Sequence, residues 1–292
     1  MKKDYLYVII AGILSGLIVF GGKVFANQGL SAAEISIFPF TLSALILLPV
    51  ILFKRMYSLR HLWLLIIYGL VGAGTILGQY SSLYFGIPVA IVVLLLYSQP
   101  LWTTLICRFG LKDKVSTREI IACILVLIGI VILVDPFKAV SHFNFIGLLL
   151  ALIGGISLSG WIIVGSILSK RDNHPINSQF FGVTISVILL LILLPFLKHL
   201  GLSQSLISFS LHWSISIWIW LILFSIFAVT LNQIIYLYGV KKVFTVDAGI
   251  IMLLEPITGA ILAALFLGQA ITLNIFIGGI FILLANYLVI KK

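Results

Sequence analysis

The chain has 292 residues, of which 62% are hydrophobic and only 9% are charged, and its mean hydropathy is +1.28. A soluble domain carries roughly a quarter charged residues, so this composition excludes a soluble globular protein and predicts an integral membrane protein. The net charge of +10 raises the question of nucleic-acid binding. Most basic residues, however, fall on one predicted side of the apolar segments, as the positive-inside rule describes, and we expect no nucleic-acid partner.

Ten apolar segments follow one another along the chain, most of them close to the roughly 20 residues that a helix needs to cross a bilayer. The predicted fold class is therefore all-α, an integral membrane protein with ten transmembrane helices. We number them spans 1 to 10, at residues 5–25, 33–53, 62–85, 88–108, 118–134, 145–169, 177–197, 214–238, 246–266 and 271–290. The distribution of Lys and Arg predicts that both termini are cytoplasmic. We expect the protein to lie in the cell membrane.

The two halves of the sequence resemble each other. Three short motifs of the first half recur in the second: Ser15-Gly16 as Ser159-Gly160, Thr41-x-Ser43 as Thr184-x-Ser186, and Gln99-Pro100 as Glu255-Pro256. Because each half holds five spans, the second half would enter the bilayer with the opposite orientation. Inverted repeats of this kind are typical of alternating-access transporters, whose site lies near the bilayer midplane. We predict one repeat over residues 1–136 and the other over 137–292.

Pro100 and Pro256 fall inside spans 4 and 9, at equivalent places in the two halves. A proline within a helix removes one backbone hydrogen bond and kinks or breaks the helix. In a membrane the freed carbonyl must face a cavity or another polar group. The two prolines therefore indicate gating helices around a shared site, although each alone is also compatible with a passive kink.

Glu255 is the outstanding polar residue, because it lies about nine residues, or ~13 Å, into span 9 and so near the midplane. Placing a carboxylate there costs about 2.5–3.5 kcal/mol on insertion scales, and such residues usually face a cavity and serve ions or substrate. A carboxyl group held away from water is suited to bind and release protons. Glu255 is thus predicted to bind substrate or carry protons. Alternatively, Glu255 is protonated and only donates a hydrogen bond to the carbonyls that Pro256 frees.

Other polar residues are predicted to face the same path. Gln99, the counterpart of Glu255, would orient a polar ligand. Four further side chains would form polar rungs on either side of the midplane: Gln79, Tyr80, Asn232 and Gln233. The alternative for these four is hydrogen bonding between helices, which is worth about 0.6 kcal/mol on average in membranes.

Aromatic residues are predicted to form a wall whose faces suit organic cations or the rings of amphipathic metabolites. The candidates are Trp161, Tyr97, Trp102 and Tyr236. Such residues are also common in helix packing and on lipid-facing surfaces.

Lys23 and Glu34 are predicted at the outer ends of spans 1 and 2, where a salt bridge between them would form an outer gate. The alternative for Lys23 is that its long side chain extends to the membrane surface.

Catalytic and metal-binding patterns are missing from the sequence. The histidines fall in predicted loops, no Cys, His and carboxylate spacing is typical of a metal site, and no nucleophile and base pair can be assembled within the spans. We therefore expect no enzyme activity, no metal and no cofactor. A monomer is favoured.

The motifs around the two prolines resemble those of the EamA-type transporters of the drug/metabolite transporter superfamily. The resemblance covers the whole chain and is carried by residues 95–100 with 111–116 and by residues 253–256 with 267–272. The family's acidic position after the fourth span of each unit differs here, with Asp113 in one copy and Gln269 in the other.

This resemblance implies ten helices, a central cavity lined by spans 1, 3, 4, 6, 8 and 9, and transport of small metabolites, including export of amino acids. The expected function is a secondary transporter, an exporter of a small polar or amphipathic metabolite, coupled to protons through Glu255. The alternatives are an uncoupled exchanger or facilitator of the same fold and a non-transporting membrane scaffold.

Overall fold

The computed structural model describes residues 3–85, 87–135, 144–199 and 208–291, and these residues fold into helices without a strand. Within them, ten helical stretches are long and apolar enough to cross a bilayer, which confirms the predicted fold class. Spans 1 to 10 are Lys3–Asn27, Ala32–Phe53, Leu62–Leu83, Val89–Gly110, Thr117–Val134, Phe145–Lys170, Pro175–Leu193, Ile215–Val240, Thr245–Leu267 and Leu273–Ile290. The predicted repeat boundary at residues 136 and 137 lies outside the described residues.

Local sequence signals determine where several of these helices begin and end. Span 2 starts with a capping box in which the Ser31 hydroxyl accepts from the Glu34 backbone N–H and the Glu34 carboxylate accepts from the Ser31 N–H. Ser116 and Glu119 form the same box at the start of span 5. Such boxes satisfy backbone donors that have no partner within the helix. Span 9 ends at Gly268, which has a φ of 64°, the left-handed conformation that glycine adopts most readily.

Spans 4 and 9 are each interrupted near their middle. Span 4 consists of helices Val89–Leu96 and Gln99–Leu105, followed by a π-helical turn, and span 9 of helices Thr245–Met252 and Leu254–Leu267. Each second helix begins next to a polar–Pro pair, with Pro100 in its first turn in span 4 and Pro256 in span 9. Since proline is tolerated in the first turn but not in the interior, both spans restart at these residues.

Span 8 contains a π-helical segment, Ser225–Leu231, between two α-helical parts. Two side-chain amides donate hydrogen bonds to backbone carbonyls of this segment. Gln179 Nε2 donates to Val229 O at 3.0 Å, and Asn232 Nδ2 donates to Ala228 O at 3.1 Å. Backbone groups freed in a membrane need such partners, so both amides stabilise this segment.

Glycines allow the closest helix contacts. Spans 5 and 10 cross at Gly129 and Gly278, where a Cβ on Gly278 would lie 2.5 Å from Gly129 O and one on Gly129 would lie 2.8 Å from Gly278 O. Gly12 of span 1 lies against Ile251 O just before the break in span 9, and Gly155 of span 6 lies against Leu95 O just before the break in span 4. These paired contacts are those expected of an inverted repeat, and the repeat layout itself stays a prediction.

Candidate functional site

Glu255 lies at the interruption of span 9, as the second residue of the helix that restarts there. It is partly exposed, whereas the flanking Leu254 and Pro256 are buried. Tyr97 Oη donates a hydrogen bond to Glu255 Oε1 at 3.2 Å, and the Ser15 hydroxyl of span 1 lies beside the same carboxylate. The carboxylate therefore has polar partners from spans 1 and 4 and still retains an accessible surface.

Gln99 occupies the corresponding place in span 4 but has a different environment. It is 1% exposed, and its Nε2 donates to Thr103 Oγ1 at 2.6 Å. Thr103 also shares a 3.0 Å hydrogen bond with Ser159 of span 6. The amide nitrogen of Gln99 is thus engaged in the packing of spans 4 and 6, so the predicted ligand-orienting role of Gln99 would require a change of conformation.

Trp161 lies in the middle of a stack of three aromatic rings. Its ring is nearly parallel to those of Tyr68 and Tyr236, with interplanar angles of 3° and 8° and centroid distances of 5.8 and 6.0 Å. Both tyrosines are fully buried, whereas Trp161 is partly exposed. Trp161 thus has an aromatic ring on each side, and the expectation that it binds a substrate stays a prediction.

The indole edge carries a free donor. Trp161 Nε1 has no acceptor among the described residues, and it lies close to Gly72 of span 3, which has no side chain to cover it. Tyr236 Oη donates to Ile162 O at 3.0 Å, and Tyr68 Oη accepts from Gln233 Nε2. Both tyrosine hydroxyls are buried and bonded to other spans, whereas the tryptophan of the stack is partly exposed and keeps an N–H for a ligand.

The predicted polar rungs have different environments. Asn232 and Gln233 are buried. Gln233 bonds to Tyr68 of span 3, as the alternative of interhelical hydrogen bonding describes, whereas Asn232 bonds to Ala228 O within its own span. Gln79 of span 3 is partly exposed. Tyr80 follows it in the same helix, and its side chain lies outside the described residues. Among the described side chains of this set, that of Gln79 is therefore the one that retains an accessible surface.

Trp102 also uses its indole N–H within the protein, where Nε1 donates to Ser98 Oγ at 3.0 Å. Ser98 in turn donates to Leu95 O at 2.6 Å, one of the carbonyls at the interruption of span 4. Trp102 therefore stabilises the helix break, while its ring stays partly exposed.

Lys23 and Glu34 do not form the predicted salt bridge in this conformation. Glu34 is 1% exposed, and its carboxylate accepts from the backbone N–H of Ser31 at 2.8 Å and of Ser210 at 2.7 Å, and from Trp213 Nε1 at 3.1 Å. Lys23 is exposed on the surface of span 1. Glu34 thus holds the segment that precedes span 8 against span 2, and a gate formed with Lys23 stays a prediction.

The opposite end of the bundle, where spans 1 and 9 begin, is closed by polar contacts. Tyr5 Oη donates to the buried Asp247 Oδ2 at 2.6 Å, and Lys170 Nζ donates to Thr245 Oγ1 at 3.1 Å. These contacts link span 9 to spans 1 and 6. These contacts and the position of Tyr68 could not be predicted from the sequence, because each pairs residues that are far apart in the chain.

Just outside the spans at this end, Lys241 forms a salt bridge with Asp172 at 2.5 Å. The hydrogen bond and charge of Lys241 hold the pKa of the Asp172 carboxyl below its ordinary value. Nearby, partial burial lowers the pKa of the His174 imidazole, and the charge of Lys54 lowers it further. The loops after spans 6 and 8 are therefore joined at neutral pH by an exposed ion pair.

No group of three His, Cys, Asp or Glu side chains in the described part of the chain is placed to hold a metal ion. The polar groups around Glu255 are hydroxyls, which suit a proton or a polar organic molecule.

Comparison with known proteins identifies relatives over nearly the whole length. A family model described as the EamA-like transporter family matches residues 2–135 and again residues 145–291. An uncharacterized transporter from Clostridium kluyveri is 27% identical over 98% of this chain and 92% of its own. An uncharacterized transporter from Archaeoglobus fulgidus is 24% identical over 67% of this chain and 64% of its own.

One solved crystal structure, described only as that of a protein, has the same fold. It aligns with a TM-score of 0.73 over 96% of this chain and 95% of that chain, at 16% sequence identity. At this identity the likeness concerns the arrangement of the helices alone.

Proposed function

Since the chain belongs to the EamA-like transporter family, within the drug/metabolite transporter superfamily, we propose that it exports a small polar or amphipathic metabolite, such as an amino acid or a related compound. In this proposal it is a secondary transporter of the cell membrane that works as a monomer by alternating access. Protons bind at Glu255 and drive the export.

The observation that carries the proposal is the position of Glu255, a partly exposed residue at the interruption of span 9 whose carboxylate accepts from Tyr97 at the interruption of span 4. Discontinuous helices near the midplane are the usual place of substrate and coupling-ion sites in transporters with inverted repeats. A carboxylate there is expensive unless it has a function or a partner. Glu255 has the Tyr97 hydroxyl at 3.2 Å, which leaves acceptor capacity for a proton or for the ammonium group of a substrate.

The unpaired indole N–H of Trp161 supports a substrate that also carries an acceptor, such as a carboxylate or a carbonyl oxygen. A donor at Trp161 and an acceptor at Glu255 would together select molecules with both kinds of group. Amino acids and their derivatives have this pattern. An apolar side chain of the substrate would lie against the surrounding aromatic rings.

The closed end of the bundle supports alternating access. Tyr5, Asp247, Lys170 and Thr245 close the end where spans 1 and 9 begin, which the distribution of basic residues predicts to be cytoplasmic. Export would require these contacts to open for loading and to close again before release. Proton and substrate would then share one cavity in turn.

The experiment is transport in proteoliposomes with an imposed pH gradient. Purified protein is first screened by thermal shift against amino acids, amines, nucleosides and sugars, and the stabilising compound is then supplied in radiolabelled form. We expect the pH gradient to drive uptake at a rate that depends on pH. In Glu255→Gln, the gradient should no longer drive uptake and the rate should no longer depend on pH. The matched control is Asp113→Asn, which removes an acidic residue from the loop after span 4 and should transport like the wild type.

Two results would overturn parts of this proposal. Wild-type rates with unchanged pH dependence in Glu255→Gln would refute proton coupling at this residue. Wild-type uptake that an uncoupler does not affect would favour the alternative, an uncoupled exchanger or facilitator of the same fold.

A further inference from the structure

A groove of about 430 Å³ lies between spans 1, 8 and 9, at the end of the bundle where span 1 finishes. It is separate from the site described above, because none of the residues around Glu255 or Trp161 lines it. The lining residues come from the last turns of spans 1 and 9 and from the start of span 8: Phe20, Val24, Phe25, Gln28, Ser214, Ser216, Ile217, Trp220, Phe266 and Leu267. Its volume falls in the range of ordinary ligand pockets, ~300–1,000 Å³.

The polarity of the groove changes along the membrane normal. Gln28 follows the end of span 1, and Ser214 caps the start of span 8, so the polar residues lie at the membrane surface. Phe20 and Trp220 lie deeper, and the eight helical steps from Phe20 to Gln28 extend over ~12 Å. The hydrocarbon of one leaflet is about 15 Å thick, half of the ~30 Å core. The groove therefore matches the depth and polarity of a single lipid leaflet.

The groove opens towards the bilayer. Trp220 and Phe266 at its edges are 62% and 69% exposed, on the outer surface of spans 8 and 9. Phe266 is also eleven residues beyond Glu255 in span 9, or ~16 Å along a helix, so the groove is remote from the midplane carboxylate. Its nearest available occupant is a lipid tail.

Lys23 provides a charge beside this groove. It lies within one turn of both Phe20 and Val24, it is exposed, and Glu34 is engaged by other donors. None of the lining side chains is charged. Lysine side chains near helix ends extend to the headgroup level, where an anionic phosphate is the natural partner.

We propose that this groove binds one acyl chain of an anionic phospholipid, with the Lys23 ammonium on its phosphate and Gln28 and Ser214 beside the headgroup. The proposal accounts for the basic residue within span 1 and for the apolar groove by a single ligand. It is independent of the transported substrate and of proton coupling at Glu255.

Fluorescence quenching by brominated lipids tests the site. The protein is reconstituted in vesicles that contain brominated phosphatidylglycerol or brominated phosphatidylcholine, and the difference between wild type and Trp220→Phe isolates the Trp220 signal. From the quenching of Trp220 we expect phosphatidylglycerol to bind about fivefold more tightly than phosphatidylcholine, which is the effect of one lysine at a membrane surface. Lys23→Gln should bring the ratio to one. Lys54→Gln, a basic residue at the other end of the bundle, should leave it unchanged.

Native mass spectrometry gives a second measurement that does not depend on tryptophan. After delipidation, the wild type should retain a phosphatidylglycerol molecule, and Val24→Phe, which fills the groove while keeping Lys23, should lose it. Equal quenching by both lipids in the wild type, unaffected by Lys23→Gln, would show ordinary boundary lipid and overturn the proposal. Retention of the lipid by Val24→Phe would also overturn it, because the chain would then be bound elsewhere.

Discussion

Tyr97 and Glu255 join the two helix interruptions by a hydrogen bond, with 3.2 Å between Tyr97 Oη and Glu255 Oε1. Tyr97 follows the last residue of Val89–Leu96, and Glu255 is the second residue of Leu254–Leu267. At both interruptions a backbone N–H bonds to the third carbonyl before it instead of the fourth, from Ser98 to Leu95 in span 4 and from Leu253 to Ile250 in span 9. The hydrogen bond between Tyr97 and Glu255 therefore connects spans 4 and 9 where their backbones are irregular.

Tyr97→Phe tests this link. The phenylalanine keeps the buried ring and removes only the hydroxyl, so the fold should be retained. Loss of a hydrogen bond to a charged group costs about 1.5–3 kcal/mol, which corresponds to a decrease in transport rate of about tenfold or more. The measurement is the initial rate of uptake in proteoliposomes, together with the Tm of the purified protein.

Tyr287→Phe is the matched control, because Tyr287 is 55% exposed on span 10 and its hydroxyl contacts only a surface lysine, Lys291. It should transport at the wild-type rate. Unchanged transport in Tyr97→Phe would mean that the hydroxyl has no part in the transport cycle.

The sequence was sufficient to predict the features that depend on composition and on proline. Runs of apolar residues specify the ten spans, because only a helix satisfies its own backbone in lipid. Pro100 and Pro256 indicated where spans 4 and 9 would be disturbed, and the structure shows an interruption at both. Glu255 could be singled out because a carboxylate within so apolar a segment is rare.

Which side chains face the interior could not be predicted, because it depends on contacts between distant spans. Gln99 and Glu255 are equivalent in the sequence, yet Thr103 holds Gln99 in a buried contact while Glu255 keeps an accessible surface. Likewise, nothing in the sequence near Trp161 reveals that Tyr68 lies over one of its faces. Repeat symmetry constrains backbone positions more strongly than it constrains side-chain partners.

Tyr68→Phe should lower the stability of the protein by about 1–3 kcal/mol, because it leaves the buried Gln233 amide without its hydroxyl partner. The phenylalanine retains the stack with Trp161, so the loss concerns the hydrogen bond. The measurement is unfolding in detergent by a thermal-shift assay or by a denaturant series.

The double variant Tyr68→Phe/Gln233→Leu provides the control for this reasoning. Replacing both partners by apolar groups is often nearly neutral, so the double variant should be more stable than Tyr68→Phe alone. Equal losses in the two variants would indicate that ring packing, rather than the hydrogen bond, determines the effect.

Asp172→Asn tests the exposed salt bridge with Lys241. Because Lys241 holds the pKa of Asp172 below its ordinary value, the charged carboxylate is favoured in the folded state. The stabilisation is therefore present above the unfolded pKa of aspartate, ~3.9, and is lost as the pH falls through the lower folded value. Since both side chains are largely exposed, the Tm difference from wild type should be small at pH 7.

The same difference should shrink further at high salt and vanish in acid, as measured by thermal shift at several pH values and ionic strengths. Lys241→Gln should reproduce it, because it removes the other partner. A large Tm difference that survives both high salt and acid would show that Asp172 acts through packing rather than through charge.

The crossing of spans 5 and 10 gives the sharpest test of the packing. A Cβ on Gly278 would lie 2.5 Å from Gly129 O and 2.7 Å from Leu133 Cβ, so Gly278→Ala forces two helix backbones apart. Overpacking of this kind costs about 1–3 kcal/mol, and more where backbone must move. We expect a clear decrease in Tm and in the yield of monodisperse protein.

The adjacent Gly279 provides a control in the same helix. A Cβ on Gly279 would have no atom within 4 Å, so Gly279→Ala should be tolerated. If both variants unfolded alike, the close contact of the two helices at Gly278 would be refuted.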